Sequence, residues 1–251
     1  MLTFLRKIRR SIIDSGSSGR YLVYALGEIV LVMLGILLAL QVNNWNQKRL
    51  DAKGEREALQ QLSVEVDKNI QQFQVMMMLH DSIFTNVQIV LDYLNSSNQV
   101  TIDQKKLERA MGWVAASHVT FNPSEGIINS LMSSGKIDII RNDSLKALLI
   151  QWKDLVKDYQ EEELELDELR DRVVIPEALK LGDFAFDRET NKLSGRLDAD
   201  SQDFRYFKNG LTLVSQYKHF LMLEYDVAWN ESVKMQKTLQ TMRRLIDQEL
   251  D

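Results

Sequence analysis

Few residues in this 251-residue sequence stand at spacings that chemistry uses. Ser133 and Lys136 form an S-x-x-K pair, the nucleophile and lysine of penicillin-binding enzymes. That chemistry needs the serine at a helix start and partner motifs of the S-D-N and K-T-G kind; here the serine closes an apolar run and neither partner occurs. Gly135-Lys136 does not make a phosphate loop, because Ile137 follows the lysine and the glycine spacing is wrong. The acidic run from Glu161 to Glu168 invites divalent cations, but a helix fans its carboxylates apart, so the run reads as a solvated face. His80 falls on an apolar seam and reads as a core histidine, while His118 and His219 lack any ligand spacing such as H-E-x-x-H. Met76-Met77-Met78 reads as filler of irregular core space. With no cysteine there is no disulfide, thiolate site or cysteine nucleophile. Trp113, Trp152 and Trp229 have no partner suggesting a cofactor pocket. The sequence therefore offers no catalytic set, cofactor site or metal site, and the chain is not read as an enzyme.

Glu28 is the one ionisable residue in Tyr21–Val42, YLVYALGEIVLVMLGILLALQV. These 22 residues make about 33 Å of helix, enough to cross a hydrocarbon core about 30 Å thick. Tyr21, Tyr24 and Trp45 suit its two interfaces. The apolar run is too long for a cleaved signal peptide, and Ala39-Leu40-Gln41 makes a poor cleavage site. A carboxylate within lipid costs about 2.5–3.5 kcal/mol unless protonated, hydrated or paired. Gly35, Ala39 and Asn46 share the helical face of Glu28, and Gly35-x-x-x-Ala39 lets two helices approach closely. This stripe reads as a membrane-helix contact face, for a second copy of the chain or another membrane protein.

Residues 1–20 carry five basic side chains against Asp14, and residues 43–251 carry 26 basic and 34 acidic ones. The basic flank predicts a cytoplasmic tail over 1–20, a transmembrane helix over 21–42 and an extracytoplasmic domain over 43–251. The overall net charge of −5 excludes a general nucleic-acid binder.

Beyond the span the pattern is helical. Leu59, Leu62, Val66, Ile70, Phe73, Met77, His80, Phe84, Val87, Leu91 and Leu94 step by threes and fours, so the membrane helix is expected to continue as a stalk ended by Asn95-Ser96-Ser97-Asn98. A helix is predicted over 103–116 with Leu107, Ala110, Met111 and Val114 inward, then a connector from His118 to Pro123. Ser124 is expected to cap a short helix that stops at Gly135. Asn142 or Asp143 should cap a long helix ending near Pro176, with a stripe that includes Trp152, Tyr159, Glu162 and Leu166. Leu181 to Gly210 reads as loop-rich, pinned by aromatics such as Phe184, Phe186 and Phe207. A last helix is expected from Leu211 to Leu250, pairing with the first as a coiled coil. The fold class is all-α: one N-terminal transmembrane helix continuing into a stalk, then an antiparallel helical bundle.

Three stretches near the start, Phe4–Arg9, Tyr21–Ile29 and Gly35–Asn46, resemble the opening of an uncharacterised bacterial membrane-protein family, domain-of-unknown-function family 6090, familiar from flavobacteria-like envelopes. Phe121-Asn122-Pro123, Asn129-Ser130-Leu131, Ser134–Ile140 and Asn142-Asp143 resemble its second recurring block. The family carries no assigned activity. The resemblance implies that Glu28, Gly35, Gln41, Asn43, Asn44 and Trp45 form a unit. It also implies a structural or binding corner around Asn122, Pro123, Gly135 and Lys136.

The reading that results is a single-pass protein of the bacterial inner membrane, with lipid as one partner, whose external helical domain binds a partner or scaffolds an envelope complex. Two other readings stand beside it. One is a ligand-sensing bundle that signals sideways through its membrane helix; the other is a proton-coupled accessory subunit that uses Glu28.

Overall fold

The computed structural model describes residues 18–95, 104–116, 118–180, 182–187, 192–197, 204–221 and 231–251. Residues 1–17 of the basic tail, Ser96 to Asn98, Tyr225, Ala228 and Trp229 lie outside them, as do the side chains of Tyr21, Tyr24, Tyr217, His219 and the residues of 181–200. The described residues are mainly helical, with one β-hairpin among them. Helix α1 runs Ser18–Asn95, α2 Gln104–Ala116, α3 Gly126–Ser133 and α4 Asp143–Leu169. A π-turn, Arg170–Val174, leads into α5, Ile175–Lys180. Strands β1, Gly182–Asp187, and β2, Lys192–Leu197, pair antiparallel, and α6, Phe204–Leu221, and α7, Glu231–Leu250, complete the chain. Two compact units divide it, Met1–Glu55 and Arg56–Asp251.

The first unit contains the apolar start of α1. Its best 18-residue window has a mean hydropathy of 2.3 and none of it is buried, so it is long and apolar enough to cross a membrane.

The second unit is a bundle built on the predicted seams. Every member of the α1 seam from Leu59 to Leu94 is buried except the half-buried Ile70. On α2, Leu107, Ala110, Met111 and Val114 all face inward. Met77 and His80 of α1 meet Tyr159 and Glu163 of α4 in the same order, so these helices run in the same direction. Helix α7 opposes both. Ser232 at its start bonds Tyr159, Glu249 near its end accepts from Asn142, and Arg243 pairs with Asp67 at 2.6 Å. Among the described residues, α7 is thus antiparallel to both α1 and α4.

Local chemistry explains the boundaries. Asn142 caps α4, its Oδ1 accepting from Leu145 N–H at 3.0 Å. Gly135 takes φ +69°, the left-handed conformation expected after α3. Pro176 does not end the long helix, which continues to Lys180. The π-turn just before it shifts the backbone so that Ile175 N–H reaches Arg170 C=O, and the proline falls within the first turn that follows, where its missing N–H costs little. Gly210 of α6 packs on that turn, and a Cβ there would lie 3.1 Å from Val173 Cγ1. The segment expected to be loop-rich instead holds the hairpin, with β2 packed against α2 and β1 against α5. The last helix is two in the described residues, and the first of them starts seven residues early, at Phe204.

Candidate functional site

The connector between α2 and α3 cannot form helical hydrogen bonds around Pro123, so its backbone groups need partners from elsewhere. Two helices provide them. From α1, Asn69 donates to Ser124 C=O at 2.9 Å and accepts from Ser124 N–H at 2.7 Å. Gln72 donates to Asn122 C=O at 2.7 Å. Glu65 accepts from Ile127 N–H at 2.8 Å and Ile128 N–H at 3.2 Å, capping α3 from another helix. Glu125, not Ser124, occupies the N-cap position, and its side chain does not cap the helix backbone. From α4, Gln160 donates to Phe121 C=O at 2.7 Å and Glu163 accepts from Phe121 N–H at 2.8 Å. The Phe121 ring is fully buried, edge-on to Phe73 at 5.3 Å and to Tyr159 at 6.1 Å.

Glu163 has a second task. Its Oε1 lies 3.1 Å from His80 Nε2, and both side chains are almost fully buried. His80 is a core histidine, as the seam implies. Glu163 departs from the expected solvated acidic face, and it rather than half-buried Glu162 points inward. Burial and the negative charge of Glu163 push the Tyr159 phenol well above its ordinary range. Partial burial and the neighbouring Glu165, Glu231 and Glu161 raise the Glu162 carboxyl.

A second polar group lies where α4 meets the π-turn. Asp167 accepts from Arg170 Nη1 at 3.0 Å, and its other oxygen lies 3.1 Å from His118 Nδ1. Arg170 Nη2 lies 2.6 Å from His118 Nδ1 and 2.7 Å from its Nε2, and with Nδ1–H donating to Asp167 only Nε2 has a lone pair to accept from it. Arg170 is buried and His118 is largely exposed. Among the described residues, no three His, Asp or Glu side chains converge to hold a metal ion.

The residues singled out in sequence fall in three places. Glu28, Gly35, Ala39 and Asn46 are all exposed along one face of α1. Asn122 and Pro123 belong to the held connector, where Asn122 Oδ1 also lies 3.3 Å from Gln160 Nε2. Gly135 and Lys136 stand at the far end of α3, Gly135 N–H bonding Met132 C=O and Lys136 exposed. Ser133 of the S-x-x-K pair is the last residue of α3 and donates to Ser130 C=O at 3.3 Å. Glu65, Asn69, Gln72, Gln160 and Glu163 were not anticipated. Their signal was available: the first three step by four and three along the edge of the α1 seam, beside a proline-containing segment short of backbone partners.

A family described as a family of unknown function, DUF6090, matches residues 28–214, about three quarters of the chain. The chain belongs to this family. The matched span of the family contains Glu28, the connector, its five holding side chains and the His118–Asp167–Arg170 group. No curated protein and no solved structure matches the chain.

Proposed function

We propose that this is a single-pass protein of the bacterial inner membrane whose helical unit binds a partner protein or scaffolds an envelope complex. Residues 21–42 anchor it, residues 1–20 lie in the cytoplasm and residues 43–251 lie outside it. The supporting observation is the apolar window of α1, none of it buried, with Leu31 68% and Leu38 66% exposed. Each such side chain gains about 1.5–3 kcal/mol on leaving water, so a run of them outweighs the cost of one carboxylate. Within lipid that gain no longer drives helix association, and close packing and polar contacts take its place. Glu28, Gly35, Ala39 and Asn46 supply both along one stripe, which serves as the contact face for a second copy or another membrane protein.

Photo-crosslinking in intact membranes tests this. A photoreactive residue at Gly35 or Ala39 is expected to capture protein, and one at Leu37, half a turn away, to capture lipid. Equal protein capture at all three positions would refute the contact face. Protease digestion of sealed inner-membrane vesicles tests the orientation, and cleavage of residues 43–251 only after the vesicles are opened is the expected result.

A further inference from the structure

His80 uses Nε2 on Glu163, while its Nδ1 is buried with no hydrogen-bond partner in the protein. A buried polar atom of this kind costs free energy unless water or another group meets it. Beside it is a cavity with about 10 Å³ open to the centre of a water molecule, close to the room one water needs. Its walls include His80, Glu163, Asp167 and Arg170, with Val114 and Val214 among the apolar ones. Asp167 and Arg170 in turn bind His118, which reaches solvent.

We propose that this cavity binds a single water on His80 Nδ1, through which the buried His80–Glu163 pair exchanges protons with the His118–Asp167–Arg170 group, so that the hold of Glu163 on the connector responds to pH. The proton balance is simple. A proton from solvent passes by way of His118 or Asp167 and the water to His80 Nδ1, and His80 releases its Nε2 proton to Glu163. The histidine ends neutral in its other tautomer and Glu163 ends as the acid. Phe121 N–H then donates to a neutral carboxyl instead of a carboxylate, and that hydrogen bond weakens. The charged and titratable groups facing the pair are Tyr159, Asp167 and Arg170 from α4 and the π-turn, with His118 from the connector. The walls supplied by α2 and α6, Val114 and Val214, are apolar.

The test uses the full chain in detergent micelles. Water-to-protein cross-relaxation should show a long-lived water at the His80 ring, and this needs no variant. Amide exchange, corrected for its intrinsic pH dependence, should show Phe121 losing about tenfold in protection on acidification. That factor is the difference between a charged and a neutral acceptor. In Glu163→Gln, Phe121 should lose this response while Ile127, held by Glu65, keeps its own. Absence of a bound water at His80 would overturn the proposal. So would a Phe121 response that follows Ile127 in both proteins.

Discussion

The two units of this chain place polarity in opposite ways. In the first, apolar side chains from Leu26 to Val42 face outward and the carboxylate stands alone among them. In the second, apolar seams face inward, and the buried Glu65, Asn69 and Glu163 are matched to backbone N–H and C=O groups. The bundle meets these three side chains from within, although His80 Nδ1 and Trp152 Nε1 stay buried without a partner in the protein. The membrane-length stretch presents an exposed apolar surface that water does not favour. The same residue type therefore sits in different settings: Glu163 is a structural tie, whereas Glu28 is exposed on an apolar stretch and belongs to the contact face we propose.

The comparison breaks most readily at the tie. Glu163→Leu leaves His80 and Phe121 N–H without their acceptor, and a loss of about 3–5 kcal/mol is expected in urea unfolding of the detergent-solubilised chain. A loss below about 1 kcal/mol would show that the buried pair ties nothing. Phe121→Ala removes a fully buried ring from the Phe73–Tyr159 cluster and should cost about 3–5 kcal/mol. In the first unit, Leu34→Arg puts a charge into the apolar stretch at about 2.5–3.5 kcal/mol of insertion free energy. Membrane-bound protein should fall in fractionation while the bundle's unfolding midpoint stays unchanged. Gly135→Ala imposes the left-handed penalty of about 1–2 kcal/mol on the turn after α3, read as a lowered midpoint.

The smallest effect sharpens the account at alkaline pH. A free tyrosine ionises near pH 10, but the raised phenol of Tyr159 keeps its proton in the folded chain. The folded state then binds more protons than the unfolded one, so this contribution is present below about pH 10 and is lost as pH rises beyond it. Tyr159→Phe should flatten that part of the stability profile, measured by unfolding at a series of alkaline pH values.

Much of this was legible in sequence because it depends on period and on single-residue rules. The α1 seam, the inward face of α2, the Asn142 cap and the Gly135 turn all followed from local pattern. The connector's partners did not, because a hydrogen bond from Asn69 to Ser124 spans 55 positions and no local period encodes it. Choosing Glu162 over Glu163 was an error of one position in an acidic run, where tertiary contact with His80 and Phe121 decides which carboxylate is buried. Pro176 misled because the π-turn before it absorbs the strain. The hairpin was hidden by Gly182, Gly195 and scattered Asp and Asn residues, which read as loop when strand alternation is short.

Flotation of the full chain on lipid vesicles, after an alkaline carbonate wash, tests the anchoring claim most directly. The account predicts that the chain rises with the vesicles and enters the aqueous phase only with detergent. Recovery of the intact chain as a monodisperse species in detergent-free buffer would contradict it.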